Sequence, residues 1–206
     1  MNNFESIGIE CIKRAGFPDK RILDPIGYFY LEKAGLSDRR ILESIGYFEA
    51  PASKGHHLAV PMGLYAHSVN VTHRLLKLTE AMEFNWSREA SPYLVGMLHD
   101  LVKTRCYKQT VEGPAKDGPV GYRYIQPAYP GHGIASALIA AELGIQLNED
   151  ERAAIVYHMG LYGVGKEYTN EEIGKALEVF PGQIIATHSA DLMAARIEEP
   201  GGASTK

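Results

Sequence analysis

The chain is short of several things, and each shortage excludes a class of protein. Its 206 residues include two cysteines, Cys11 and Cys106. They form no ligand-spaced pair, so there is neither a thiolate zinc motif nor a disulfide framework, and Cys106 reads as a reduced structural cysteine. Neither sign of charge dominates, and the net charge of −4 argues against a strong grip on long nucleic acid, which depends on Lys and Arg neutralising phosphates. No apolar run approaches the roughly 18 residues of a membrane span, and no charged-then-apolar leader opens the sequence. The expectation is a soluble, cytoplasmic protein with no membrane partner. The length suits one generous domain or a domain with a small appendage, and apolar residues at 45% of the chain are enough for a sizeable core.

What the sequence does contain is concentrated in Met97-Leu98-His99-Asp100-Leu101-Val102-Lys103. A histidine and an aspartate stand side by side in an apolar stretch that reads as helix. Buried charge is costly unless it is paired or bound to a metal. Lys103 lies four residues after His99 and three after Asp100, so on a helix it covers the same surface as both. The pattern suggests a metal site with a cation beside it.

Three other histidines fall at the edges of helical runs, and one aspartate lies within one. His67 opens an amphipathic run, His132 heads an alanine-rich one, His158 ends a helix before Gly160, and Asp191 lies in the last helix. In order these read His, His-Asp, His, His, Asp. On these residues the chain resembles the HD-domain superfamily of metal-dependent phosphohydrolases, from about Leu42 to Glu198. The resemblance implies that His67, His99, Asp100 and Asp191 are ligands of one metal, and that His132 and His158 are the extra ligands of a dinuclear branch in which Asp100 bridges two ions. Val102 stands where relatives commonly carry glycine. The segment from Ala50 through His56-His57 to Gly63 is similar to the entry of HD-type 3′-to-5′ exoribonucleases and of bacterial and phage HD hydrolases, which implies that His57 reaches the mouth of the site.

The fold expected is an all-α HD-domain helical bundle with a small β-hairpin insertion. Residues 1–41 form a helical extension, 42–199 the HD domain and 200–206 a disordered tail. The extension carries an internal repeat, in which Arg14–Phe29 recurs as Lys33–Phe48. Two copies are too few for a solenoid; the first reads as a packed helix or a contact surface for a second subunit, which leaves room for a homo-oligomer. Pro25 should weaken the first copy's helix. A helix is expected from Ser68 to Met82, with His73 on its surface, and another from Ser87 or Ser91 into the His-Asp pair. Tyr107–Val111 and Gly121–Ile125 alternate like strands, and Tyr122 or Tyr124 could stack on a base. Asn148 with Glu151 is a capping box. His188, three before Asp191, either supports it or is packed.

Four imidazoles and two carboxylates suit Mn²⁺, Fe²⁺, Co²⁺, Ni²⁺ or Zn²⁺ rather than Mg²⁺. The expected reaction is cleavage of a phosphoester in a nucleotide or other small phosphorylated substrate by a hydroxide held on a pair of such ions. Asp100 and Lys103 are the expected catalytic residues. Lys103, Arg105 and His57 are expected to meet the substrate, the two cations balancing phosphoryl charge. Three alternatives stand: a 3′-to-5′ exonuclease on short single strands; a mixed-valence di-iron oxygenase, since the inositol oxygenase branch has the same ligand order and a lysine placed like Lys103; and a site kept only as a structural or ligand-sensing metal centre.

Overall fold

In a computed structural model of the chain, residues 20–110 and 121–199 are described. Cys11, the start of the repeat, the turn of the hairpin and the tail 200–206 lie outside them. The described residues form a helical assembly with one antiparallel two-stranded sheet, and none of their helices is long and apolar enough to cross a membrane.

Helix α1 (Lys20–Lys33) buries Leu23, Tyr30, Leu31 and, just past its end, Ala34. That spacing forms one face, laid on α3 (Gly63–Ala81) and α4 (Ser91–Leu98). The helix runs through Pro25 rather than stopping at it. A mid-helix proline costs about 3 kcal/mol, whereas each fully buried large side chain contributes roughly 1.5–3 kcal/mol, and α1 has three. The second copy of the repeat folds differently: α2 (Arg40–Glu43) has four residues, and the chain then turns at Gly46, whose φ is +73°. The equivalent Gly27 is mid-helix. The turn brings Tyr47 into the core, where its hydroxyl donates to the Met97 carbonyl at 2.6 Å, two residues before His99.

Helix α3 is the centre of the molecule, buried without interruption from Gly63 to His73, as a helix covered on all sides must be. It begins at Gly63 rather than Ser68 because the preceding loop supplies an acceptor: the Leu64 N–H donates to the Ala50 carbonyl at 2.9 Å, satisfying one of the donors a helix start leaves open. His73, expected on the surface, is 5% exposed. Helix α1 covers it, with the Tyr30 hydroxyl 3.4 Å from its Nδ1.

Helices α4 and α7 (Glu149–Val156) are fastened at their starts. Glu151, fully buried, accepts from Arg88, from the Ser91 hydroxyl at 2.7 Å and from the Asn148 N–H at 2.7 Å. Asp150 accepts from the Ser87 N–H and hydroxyl. The capping-box glutamate therefore also fixes one helix against another. After α5 (Lys103–Cys106), strands β1 (Tyr107–Thr110) and β2 (Gly121–Tyr124) pair with Tyr107 opposite Tyr124. Then come α6 (His132–Glu142), packed on α7, α8 (Asn170–Val179), capped by Thr169, and α9 (Pro181–Met193), packed along α3. The described chain closes with a π-helical turn, Ala194–Glu198.

Burial pushes the His73 pKa down to about 4, and the charges of Lys77 and Arg74 add to the shift. The folded value lies below the unfolded one, so as pH falls the unfolded chain takes up the proton first. The stability from keeping His73 neutral is complete above about pH 6.5 and lost toward pH 4. Between pH 7.5 and 4.5 the wild type should lose about 2–3 kcal/mol more than His73→Gln in urea unfolding. Equal losses would contradict this account of His73.

Candidate metal centre

The His-Asp pair does not lie within a regular helix. Helix α4 ends at Leu98, and the chain tightens into i→i+3 hydrogen bonds: Leu101 N–H to Leu98, Lys103 N–H to Asp100, Thr104 N–H to Leu101 and Arg105 N–H to Val102, at 2.8–3.2 Å. In such a 3₁₀-like turn residues i and i+3 eclipse, which sets Lys103 directly over Asp100. The Lys103 ammonium lies 2.5 Å from Asp100 Oδ2. Tyr47 holds this turn from one side through Met97. Ser136 of α6 holds it from another, its hydroxyl accepting from the Val102 N–H at 3.1 Å.

Four of the six proposed ligands converge with one donor atom each within 4.8 Å of all the others: His67, His99, Asp100 and Asp191. The His67 and His99 Nε2 atoms are 3.3 Å apart. His67 Nε2 is 3.1 Å from Asp191 Oδ1 and 3.6 Å from Asp100 Oδ2, and His99 Nε2 is 3.4 Å from Asp100 Oδ2. A first-row ion with donors at about 2.1 Å sets neighbouring donors about 3.0–3.4 Å apart. These residues can hold a metal ion.

The other oxygen of Asp100 faces the remaining two histidines. Oδ1 is 3.7 Å from His158 Nε2 and 3.9 Å from His132 Nδ1. Both Asp100 Oδ1 and His158 Nε2 are buried without any hydrogen-bond partner. Such orphans are rare and call for an explanation; an ion between them would satisfy both at once. His67, His99 and His158 are fully buried, while the side chains of Asp191 and His132 are 19% and 33% exposed. The cluster is therefore open on the Asp191 and His132 side.

The backbone fixes which nitrogen each imidazole offers. His99 Nδ1–H donates to the Gly96 carbonyl at 3.0 Å, and His158 Nδ1–H to the Ile155 carbonyl at 2.7 Å. A carbonyl can only accept, so Nδ1 carries the proton in both rings and the Nε2 lone pair faces the cluster. Burial lowers the His158 pKa, keeping it in the neutral form that binds metal. Burial would raise the Asp100 carboxyl, but the Lys103 ammonium beside it holds it well below its usual range. Asp191 is likewise held low against burial, first by its hydrogen bond to His67. The Lys103 ammonium loses by burial and gains more from Asp100, so its pKa is raised.

Other expected residues lie elsewhere. Arg105 does not face the cluster: its guanidinium pairs with Glu142 at 2.6 Å, at the end of α6 away from His132, about 15 Å along that helix. His188 does not hold Asp191; its Nδ1–H donates to the His158 carbonyl at 2.7 Å. Tyr124 packs edge-on to Tyr107 at 6.0 Å, and Tyr122 is nearly buried. His57 does come close, its ring 4.9 Å from that of His67, but its Nδ1 is engaged by Glu199 Oε2 at 2.5 Å.

Glu199 went unread in the sequence. It is 5% exposed and also meets His67 Nδ1 at 2.9 Å and the Asn70 amide at 3.0 Å. The signal available was its place two helical turns beyond Asp191 in one continuous run, with Asn70 one turn beyond His67. Only their common approach to His67 reveals the role, and that depends on how α9 lies on α3.

Comparison with protein-family models, with curated proteins and with solved structures finds no match.

The closeness of α6 and α7, which carry His132 and lead to His158, depends on Gly133. A Cβ at Gly133 would stand 2.2 Å from the Val156 carbonyl oxygen and 2.4 Å from that of Ile155, the acceptor of His158 Nδ1–H. Gly133→Ala must push these helices apart. It should cost about 1–3 kcal/mol in chemical unfolding and shift His158 relative to His132. Unchanged unfolding would contradict the packing described.

Proposed function

We propose that the protein is a metal-dependent phosphohydrolase of the HD type that holds two divalent transition-metal ions and cleaves a small phosphoester such as a nucleotide. The observation that carries this reading is the division of Asp100. Oδ2 faces His67 and His99, with Asp191 close by, while the partnerless Oδ1 faces His158 and His132. One carboxylate with a donor group on each side is what a bridging ligand requires. The donor set of imidazole and carboxylate favours Mn, Fe, Co, Ni or Zn.

Bound there, such ions supply Lewis-acid polarisation of a phosphoryl oxygen and acidify water. The residues of the chain do the rest. His67, His99, Asp100 and Asp191 form one half of the shell, and His132 and His158 with Asp100 the other. Two carboxylates and one lysine leave the shell with a single negative charge, so two divalent ions make it strongly positive and an anion its natural guest. The guest approaches past Asp191 and His132, the exposed members. Lys103, 6% exposed and held against Asp100, places a cation where charge grows on the phosphoryl oxygens, and a fixed charge at a low-dielectric site acts most strongly there. Arg105 has no part in this reading.

A second reading rests on the same lysine: the ligand order and the position of Lys103 resemble those of the di-iron oxygenases. Substrate turnover separates the two. Protein loaded with Mn²⁺, Co²⁺ or Ni²⁺ should hydrolyse at least one member of a panel of mono-, di- and cyclic nucleotides, short RNA and DNA, and sugar phosphates. Lys103→Ala should lower that rate by a factor on the order of 10² with metal content unchanged. Asp100→Ala should lose nearly all metal, whereas His158→Ala should keep about one ion. Stepwise release of nucleotides from short strands would select the exonuclease form. Absence of hydrolysis by fully loaded protein, with oxygen uptake by the iron form, would replace the hydrolase by the oxygenase.

A further inference from the structure

The two nitrogens of His67 are held by two carboxylates from one continuous stretch of chain. Asp191 Oδ1 stands 3.1 Å from Nε2, and Glu199 Oε1 stands 2.9 Å from Nδ1. Between the two residues α9 gives way to the π-helical turn Ala194–Glu198, closed by an i→i+5 hydrogen bond from the Glu199 N–H to the Ala194 carbonyl at 3.1 Å. A π-helical turn is rare and frequently accompanies a functional site. Here it re-aims the end of the helix so that Glu199 faces α3. Glu198, the residue before, is anchored on α3 through Arg74.

The Glu199 carboxylate has three partners and almost no solvent. Its oxygens meet His67 Nδ1 at 2.9 and 3.1 Å, the Asn70 amide N–H donates to Oε1 at 3.0 Å, and His57 Nδ1 lies 2.5 Å from Oε2. Asn70 is one turn after His67 on α3, so its amide fixes the carboxylate relative to the ring it serves. His57 reaches it from a loop folded on itself: the Ser53 hydroxyl donates to the His57 carbonyl at 2.8 Å and accepts from the His56 N–H at 2.9 Å. Two donors come from α3 and the third from the loop, and all converge on one acid.

We infer that Glu199 is the positioning residue of the metal centre: by accepting from His67 Nδ1–H it keeps the proton there and the Nε2 lone pair on the ion. His99 and His158 obtain the same result from backbone carbonyls three residues earlier. His67 has a carboxylate instead, the carboxylate–histidine–metal arrangement that orients a ligand and raises its basicity. His57 and Asn70 hold the acid, so His57 supports the centre and does not meet the substrate. The inference rests on the proposed metal reading. His57, His67 and Glu199 are also close enough to share an ion of their own, but their contacts of 2.5–3.1 Å fit hydrogen bonds, and an ion would displace the proton on which the arrangement turns.

The test uses the full chain and two readouts. In metal-free protein, where Asp191 can also take a proton from Nε2, ¹H–¹⁵N NMR of the histidine rings reports whether His67 Nδ1 bears a proton. Co²⁺ affinity, by chelator competition and the visible spectrum, reports the ligand. The wild type should show a protected His67 Nδ1–H. Glu199→Ala should lose that signal and bind Co²⁺ about 10–100-fold more weakly. Glu199→Gln, which keeps an acceptor without the charge, should fall between. Arg74→Met loosens the same segment without touching His67, so it should lower the melting temperature yet keep both the proton signal and the affinity. Unchanged proton signal and affinity in Glu199→Ala would overturn the inference. So would an affinity loss in Arg74→Met as large as that in Glu199→Ala, or a third Co²⁺ ion lost on His57→Ala. A wild type with the Nδ1–H signal but no Co²⁺ affinity would contradict the metal reading and not the Glu199–His67 geometry.

Discussion

An ionised aspartate sits at the centre of this protein, 2% exposed, with one oxygen against a lysine and the other against no donor at all. Taking a carboxylate out of water costs several kcal/mol even after the protein relaxes, and Lys103 offsets only half of the problem. Oδ1 remains buried, charged and unmet, with His158 Nε2 and His132 Nδ1 within 4 Å. A chain folding for stability alone would gain by replacing such a group with an apolar one. The arrangement is explained if the missing partner is a cation, and much of the surrounding structure reads as support for that cation.

The support is layered. Three rings have Nδ1–H spoken for: two by carbonyls one turn earlier, the third by Glu199. The elements that carry them are fastened in turn. Glu151 and Asp150 tie the start of α7 to the start of α4, so His158 and His99 leave helices with a common anchor. Tyr47 and Ser136 hold the two ends of the His-Asp segment, at Met97 and Val102. His188 holds the His158 carbonyl. A shell placed by packed helices and buried hydrogen bonds is pre-formed, and little conformational freedom would remain to be lost if an ion entered.

Much of this was legible in the sequence. The order His, His-Asp, His, His, Asp carried a family resemblance that implied His67, His99, Asp100 and Asp191 share one ion, and these four do converge; alternation located the hairpin. Local pattern failed where tertiary contacts decide. Copies of one repeat fold as a helix and as a turn, because Tyr47 has the Met97 carbonyl to reach. His73 looked exposed on its own helix and is covered by another. Arg105, two residues from Lys103, was assigned to the substrate by proximity in sequence, yet the 3₁₀-like turn sends it to Glu142. Glu199 was invisible because its partners are 129 to 142 residues away, and nothing in its own neighbourhood distinguishes it from a surface glutamate.

The central claim is that Asp100 bridges two ions. The most direct measurement is a crystal structure of protein purified without chelator, with anomalous scattering recorded across the absorption edges of Mn, Fe, Co, Ni and Zn. The account predicts two peaks roughly 3.5–4 Å apart, one on each side of the Asp100 carboxylate, the first among His67, His99 and Asp191 and the second against His158 and His132. A lone peak among His57, His67 and Glu199, or no peak with Oδ1 of Asp100 hydrogen-bonded to water, would contradict it.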